Sequence, residues 1–94
     1  MTGFEWDEDK RQRNLEERGV DFRLAALIFE NPVLESDDDR NDYGERRIRA
    51  LGHVDDDYYL AVYTWRGKNR RIISAWKAGK HGEQRYKTLL SGRA

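Results

Sequence analysis

The sequence predicts a small α+β domain with two N-terminal helices, an antiparallel meander of about four strands and a short C-terminal helix. Apolar residues recur at helical spacing before residue 31, at strand spacing from residue 45, and at helical spacing again after residue 83. The 94 residues leave room for one domain, 1–94, with a thin core. Charged residues make up 38% of the chain, but the large aromatic residues fall within the periodic segments, which indicates a folded chain.

The first helix is expected over about Glu8 to Arg18. Asp7 can cap its N-terminus, and Gly19 can adopt the left-handed conformation that ends a helix. Because nearly all of its residues are charged, we expect this helix on the outside of the domain. Two aromatic residues just before it are expected to anchor it: Phe4 and Trp6.

A second helix is expected to begin after Asp21 and to end at Asn31-Pro32, because the residue before proline disfavours helix. Val33 to Ser36 can then form a short strand. The acids of residues 37–42 could hold a divalent metal, but they lack the alternating spacing and turn glycine of a calcium loop. We therefore interpret these residues as a solvated loop and predict no metal site.

From Glu45 onward the hydrophobic period is two, which is typical of strands. One face of the first strand is apolar, with Ile48, Ala50, Gly52 and Val54, and the other is cationic, with Arg47, Arg49, Leu51 and His53. Turns at 55–57 and 66–69 separate two further strands, Tyr58 to Trp65 and Arg70 to Trp76. The 79–82 stretch is expected to break the pattern before a closing helix from Glu83 to Leu90.

The zero net charge conceals an acidic and a basic half of the chain. Residues 1–45 carry 14 acids and 6 bases, and residues 46–94 carry 4 acids and 12 bases. This division favours an anionic partner such as nucleic acid, unless the two halves neutralise each other across the fold. The absence of cysteine excludes disulfides and thiolate chemistry, and no apolar run approaches the ~20 residues that span a bilayer. We therefore expect a cytoplasmic protein without a membrane segment.

Short sequence blocks follow one another in a recognisable order, from Phe4-Glu5-Trp6-Asp7 and Gly19-Val20 through Asn31-Pro32 and Val62-Tyr63-Thr64 to Arg71-Ile72-Ile73-Ser74-Ala75. Together they resemble the BrnT toxin family over residues 4 to 86. The resemblance implies a RelE-like fold and a ribonuclease that arrests translation. It also implies a BrnA-like ribbon-helix-helix antitoxin as partner, whose complex with the toxin binds operator DNA.

Four positions depart from the pattern of this family. Arg18 stands where the family usually has His, and Trp76 stands where it usually has Arg. Gly79 and Gly82 replace the usual Thr and Glu. These departures keep a second hypothesis open, a non-catalytic BrnT-like module that binds antitoxin or RNA.

RNA cleaves when its 2′-OH attacks the adjacent phosphate, so a protein needs only a base, an acid and cations, with no metal and no cofactor. The predicted catalytic residues are Arg71, Tyr86 and His81. The predicted RNA-binding residues are Arg47, Arg49, Lys77, Lys80 and Trp76. Each has a structural alternative: His81 as a loop histidine, and Tyr86 and Trp76 as packing residues. Lys10, Asn14 and Arg18 share one stripe of the first helix, which either faces RNA or is solvated.

Overall fold

A computed structural model describes residues 3–40 and 42–91. The ends of the predicted domain and Asn41 of the predicted acidic loop lie outside the described residues. The elements follow one another as β1 (Phe4–Trp6), α1 (Glu8–Arg18), α2 (Phe22–Ala26), a 3₁₀ turn (Leu27–Glu30), β2 (Leu34–Asp37), β3 (Ile48–Val54), β4 (Asp57–Arg66), β5 (Asn69–Lys77), α3 (Lys80–Tyr86) and a π-helical turn (Lys87–Ser91). The strands form one sheet in the order β1-β5-β4-β3-β2. The predicted α+β class is confirmed.

The first helix has both of its predicted ends, and the second has its predicted start. The Asp7 carboxylate accepts a hydrogen bond from the Lys10 backbone N–H at 3.1 Å, and Gly19 has a φ of 72° at the end of α1. Asp21 caps α2 in the same way, through the Arg23 N–H at 2.9 Å. Only the first five residues of the second helix are α-helical, and the rest tighten into the 3₁₀ turn before Asn31.

The sheet contains one strand more than the four expected. Phe4–Trp6 was predicted only as an anchor, but it is β1 and pairs in parallel with residues 70–72 of β5. Three residues are too few to show a period of two, so the sequence could not reveal this strand. The anchoring itself is present, since Trp6 packs on Phe22 at 6.3 Å and Phe4 on Phe29 at 5.6 Å between ring centroids.

A β-bulge in β5 decides which residues face each side of the sheet. Val62 pairs with Ser74 and Tyr63 pairs with Ile72, so Ile73 is an extra residue without a partner on β4. An extra residue reverses the alternation of the side chains that follow it. Ala75 therefore points to the helix side of the sheet, and Trp76 points to the opposite side.

The main core lies between the sheet and the N-terminal helices, where Phe22, Ala25 and Ile28 meet buried residues of β3, β4 and β5. The opposite face of the sheet, called here the second face, was expected to be cationic. It is only partly so, because Leu51 and Val62 lie on it and are 6% and 1% exposed. Leu51 is covered by α3, which passes close enough that a Cβ on Gly82 would lie 3.8 Å from it.

The C-terminal helix begins three residues earlier than predicted. Gly79 caps α3, and Gly82 lies inside the helix rather than breaking it. A Cβ at Gly82 would approach the Ala78 Cβ to 3.1 Å, so the glycine permits a tight first turn against the sheet. No helix in the described ranges is long and apolar enough to span a membrane.

Candidate functional site

A cavity of about 230 Å³ lies on the second face of the sheet, beneath α3. Its floor is made by strand residues, and its rim by the first two turns of α3. The strand residues that line it include Ser36, Arg49, Leu51, Leu60, Trp76 and Lys77, and the helix contributes His81, Gly82 and Arg85.

Arg49 is the central cation of this cavity. It follows Ile48 on β3 and points to the second face, as its register opposite Val62 requires. Among residues 3–40 and 42–91 it makes no ion pair, and its buried Nε atom has no hydrogen-bond partner. A buried, unpartnered guanidinium nitrogen costs stability, so this group is available for an anion that enters the cavity.

The lining of the cavity is predominantly positive. Arg49 and Arg85 are its cations. Glu35 and Lys77 also line it, but their register opposite Ala50 and Tyr59 turns both side chains to the helix side of the sheet. Glu35 already accepts a hydrogen bond from the Tyr63 hydroxyl at 2.5 Å. Burial and the neighbouring Glu35 carboxylate raise the pKa of Tyr63, so that hydroxyl stays protonated and keeps the carboxylate engaged. The positive charge that remains in the cavity favours the binding of a phosphate group.

Four of the eight site residues predicted from sequence line this cavity: Arg49, Trp76, Lys77 and His81. Of these, Lys77 also makes an exposed ion pair with Asp57 at 3.4 Å. The other four lie elsewhere. The catalytic and RNA-binding roles of all eight residues stay predictions.

Arg71 lies near the other end of β5, about 16 Å from Trp76 at 3.3 Å per strand residue. Its guanidinium pairs with the Glu5 carboxylate at 2.7 Å and so joins β5 to β1. Hydrogen bonds from Arg71 and Asn69 lower the pKa of Glu5. This contact gives Arg71 a structural role that the sequence did not indicate.

Tyr86 is buried and donates its hydroxyl hydrogen to the Pro32 carbonyl at 2.5 Å. Its ring packs against His53 at 5.5 Å and Tyr58 at 5.3 Å, and burial raises its pKa. These contacts attach α3 to the β3–β4 hairpin. They also engage the hydroxyl that the sequence suggested for catalysis.

The remaining two predicted cations also lie outside the cavity lining. Arg47 pairs with Glu45 at 3.1 Å and stacks on the Tyr43 ring at 3.9 Å. Lys80 is exposed at the start of α3.

Arg85 is a cavity cation that the sequence reasoning missed. It is four residues after His81, so both side chains share one face of α3. The spacing was visible in the sequence, but a helix expected to begin at Glu83 left His81 outside it.

The acidic loop is less solvated than predicted. Asp38 has a side chain only 1% exposed, and Arg40 donates to both of its carboxylate oxygens, at 2.7 and 3.0 Å. These hydrogen bonds lower the Asp38 pKa. Among the described residues, no cluster of three His, Asp or Glu side chains is arranged to hold a metal ion.

The acidic and basic halves of the chain partly neutralise each other, as the alternative interpretation held. Ion pairs join them at Glu5–Arg71, Asp37–Arg46 and Glu45–Arg47. Arg49 and Arg85 remain without a carboxylate partner within the described part of the chain. These two guanidinium groups leave unneutralised positive charge at the cavity.

A small α+β domain with a cationic cavity on one face of its sheet is typical of proteins that bind a polyanion. The family model described as "Ribonuclease toxin, BrnT, of type II toxin-antitoxin system" matches residues 6–82. The chain therefore belongs to the BrnT family of ribonuclease toxins, and its architecture is consistent with the RelE-like fold. No curated protein sequence matches it significantly. A type II toxin has an antitoxin partner, and a ribonuclease has RNA as its substrate.

Proposed function

We propose that this protein is a metal-independent endoribonuclease that cleaves RNA in the cavity between the sheet and α3. Cleavage of messenger RNA in the cytoplasm arrests translation, and a BrnA-like ribbon-helix-helix antitoxin neutralises the toxin by covering the cationic cavity. The toxin–antitoxin complex binds operator DNA through the antitoxin. The observation that carries the proposal is the unpaired Arg49 guanidinium in a cavity large enough for a nucleotide phosphate.

The cleavage step needs no group from outside the chain and the RNA. The 2′-oxygen loses its proton and attacks the adjacent phosphorus, the bond to the 5′-oxygen breaks, and that oxygen takes up a proton. The products are a 2′,3′-cyclic phosphate and a 5′-hydroxyl. Arg49 stabilises the charge that develops on the phosphate oxygens, and His81 at the rim transfers protons. Trp76 offers a ring on which a base can stack.

The second candidate function is a binding module without catalysis. It is favoured by the engagement of Arg71 with Glu5 and of Tyr86 with Pro32, since both predicted catalytic groups serve the fold. The departures at Trp76, Gly79 and Gly82 point the same way. Under this alternative the cavity binds RNA or antitoxin and leaves the RNA intact.

We expect purified protein to cut RNA in the presence of excess EDTA, because no step requires a metal. The measurement is the release of a 2′,3′-cyclic phosphate product from a labelled RNA, with the same RNA carrying one 2′-deoxynucleotide at the cut position as control. The deoxy control should stay intact. Cleavage that EDTA abolishes would contradict the metal-independent mechanism, and intact RNA under all conditions would favour the binding module.

His81→Gln and Tyr86→Phe are expected to show whether catalysis takes place in the cavity or at Tyr86. His81→Gln should lower kcat by about 100-fold, within the range for loss of a general acid or base, while leaving thermal stability unchanged. Tyr86→Phe should keep kcat and lower stability by about 1 kcal/mol, because it removes one hydrogen bond to Pro32. Loss of activity in a folded Tyr86→Phe variant would instead assign catalysis to the tyrosine.

A further inference from the structure

Trp76 is a wall of the cavity, and it also contacts a cation from a distant part of the chain. The Arg18 guanidinium at the end of α1 lies 4.9 Å from the centroid of the Trp76 ring. A second guanidinium, that of Arg40, lies 5.8 Å from the same ring. A guanidinium over an aromatic face is held by the ring's electrons while its N–H groups remain free to donate.

A second depression, of about 170 Å³, begins on the other side of this contact. It lies between α1 and the edge of β5, and the residues that matter are Lys10, Arg13, Glu17, Arg18 and Ser74. Ser74 is two residues from Trp76 on the same side of β5, so the two depressions are neighbours. Arg18 and Trp76 form their common boundary.

The cations of the second depression have no ion-pair partner in the part of the chain that the structure describes. Within the described ranges of the chain, Lys10, Arg13 and Arg18 make no ion pair, and Glu17 is the one carboxylate in the lining. Arg11 provides the contrast on the same helix, since it pairs with Glu8 at 2.6 Å and Asp21 at 3.0 Å. Helix α1 therefore turns Arg11 toward the rest of the domain, and it turns Lys10, Arg13 and Arg18 toward the depression.

The position of this cationic surface is fixed by a buried contact. Asn14, which lies between Arg13 and Arg18 on α1, donates to the Ala75 carbonyl at 2.8 Å and accepts from the Ala75 N–H at 3.2 Å. Ala75 is the residue before Trp76, so this contact fixes the position of α1 relative to the Trp76 wall of the cavity. Of the helix stripe noted in the sequence, Asn14 is buried and hydrogen-bonded, whereas Lys10 and Arg18 are exposed.

We propose that bound RNA continues from the cavity across the Arg18–Trp76 contact and along α1, where Lys10, Arg13 and Arg18 bind phosphates that flank the cleaved bond. This inference rests on the proposed function, which places the cleaved bond in the cavity. Cationic side chains that follow the backbone, combined with an aromatic platform, are the means by which proteins hold single-stranded nucleic acid. An acidic segment of the antitoxin is the competing occupant.

The first test measures binding without cleavage. A 12-nucleotide RNA with 2′-O-methyl groups throughout is titrated at several salt concentrations by fluorescence anisotropy. Arg13→Ala/Arg18→Ala should make the slope of log K against log salt shallower by about 1.4, or about 0.7 for each phosphate that the variant no longer neutralises. Arg18→Lys should keep the parent slope. Lys68→Ala, which removes one charge from the β4–β5 turn at the far end of β5, should also keep it.

The second test compares substrate lengths. On a trinucleotide that contains the cut site, Lys10→Ala/Arg13→Ala, which leaves the Arg18–Trp76 contact in place, should match the parent in kcat/KM. On a 12-nucleotide RNA centred on the same site it should be about 10-fold slower, because only the longer RNA reaches α1. If the parent cuts neither RNA, the proposed function fails, and the salt slope alone decides whether RNA follows α1.

Three results would overturn the inference. An unchanged salt slope in a folded Arg13→Ala/Arg18→Ala variant means that no phosphate binds there. An equal loss of activity on the short and long RNA in Lys10→Ala/Arg13→Ala means that these cations act on the cleaved bond and not on flanking phosphates. Weaker antitoxin binding with an unchanged RNA slope assigns the surface to the antitoxin.

Discussion

Replacing Arg49 with alanine is expected to lower kcat/KM for RNA cleavage by about 100-fold or more, the range for one preorganised donor. The guanidinium projects from the second residue of β3 and is flanked by other lining residues, so little reorganisation is needed as charge develops on the phosphate. Arg49→Lys should recover only part of the rate, because a single ammonium group cannot reproduce a planar two-pronged contact. Single-turnover and steady-state cleavage of a defined RNA measure both effects.

The same substitution should leave the fold intact. The Arg49 Nε atom is buried and has no partner among residues 3–40 and 42–91, and removing an unsatisfied donor relieves a cost. The midpoint of thermal unfolding should therefore stay the same or rise. Arg46→Ala is the matched control, because Arg46 lies three residues away, is well exposed and pairs with exposed Asp37. Cleavage at the parent rate by Arg49→Ala, together with a loss in Arg71→Ala, would move the active site to the position first suggested by sequence.

Much of the fold could be predicted because local rules act on adjacent residues. Asp7 and Gly19 set the ends of α1 through contacts within one turn of the helix. The alternation around Ile48 and Arg49 likewise predicted two different faces of β3, because successive side chains of a strand point to opposite faces of the sheet.

The remainder depends on contacts between residues far apart in the chain. The bulge at Ile73 cannot be read from β5 by itself, yet it decides that Trp76 faces the cavity rather than the main core. For the same reason the sequence could not show which of its arginines is free to bind substrate. Arg71 meets Glu5 only because β1 pairs with β5, whereas Arg49 meets no carboxylate in the described part of the chain. Which cation is free for substrate is therefore a property of the sheet's assembly.

Asn14 presents the clearest case of a polar residue that the assembled fold requires. It is 7% exposed, and β1 covers the edge of β5 only at residues 70–72. Beyond that point the side-chain amide of Asn14 takes the place of a neighbouring strand, with one donor and one acceptor to Ala75. The same nitrogen donates to the Val20 carbonyl at 2.8 Å, which also fixes the turn between α1 and α2.

Asn14→Leu is therefore expected to destabilise the domain by about 3 kcal/mol or more, since it leaves three buried backbone groups unpaired at ~1 to 3 kcal/mol each. For a domain of this size that loss corresponds to a fall of at least about 12 °C in Tm. Asn14→Asp should also be damaging, because a carboxylate keeps the acceptor for the Ala75 N–H but faces two carbonyl oxygens.

Gln12→Leu, at an exposed position of the same helix, is the control for altered helix propensity and added apolar surface. A Tm for Asn14→Leu within about 3 °C of the parent, measured by calorimetry, would mean that water or backbone movement satisfies the edge of β5. In that case α1 would not be held in register with Trp76 by this residue.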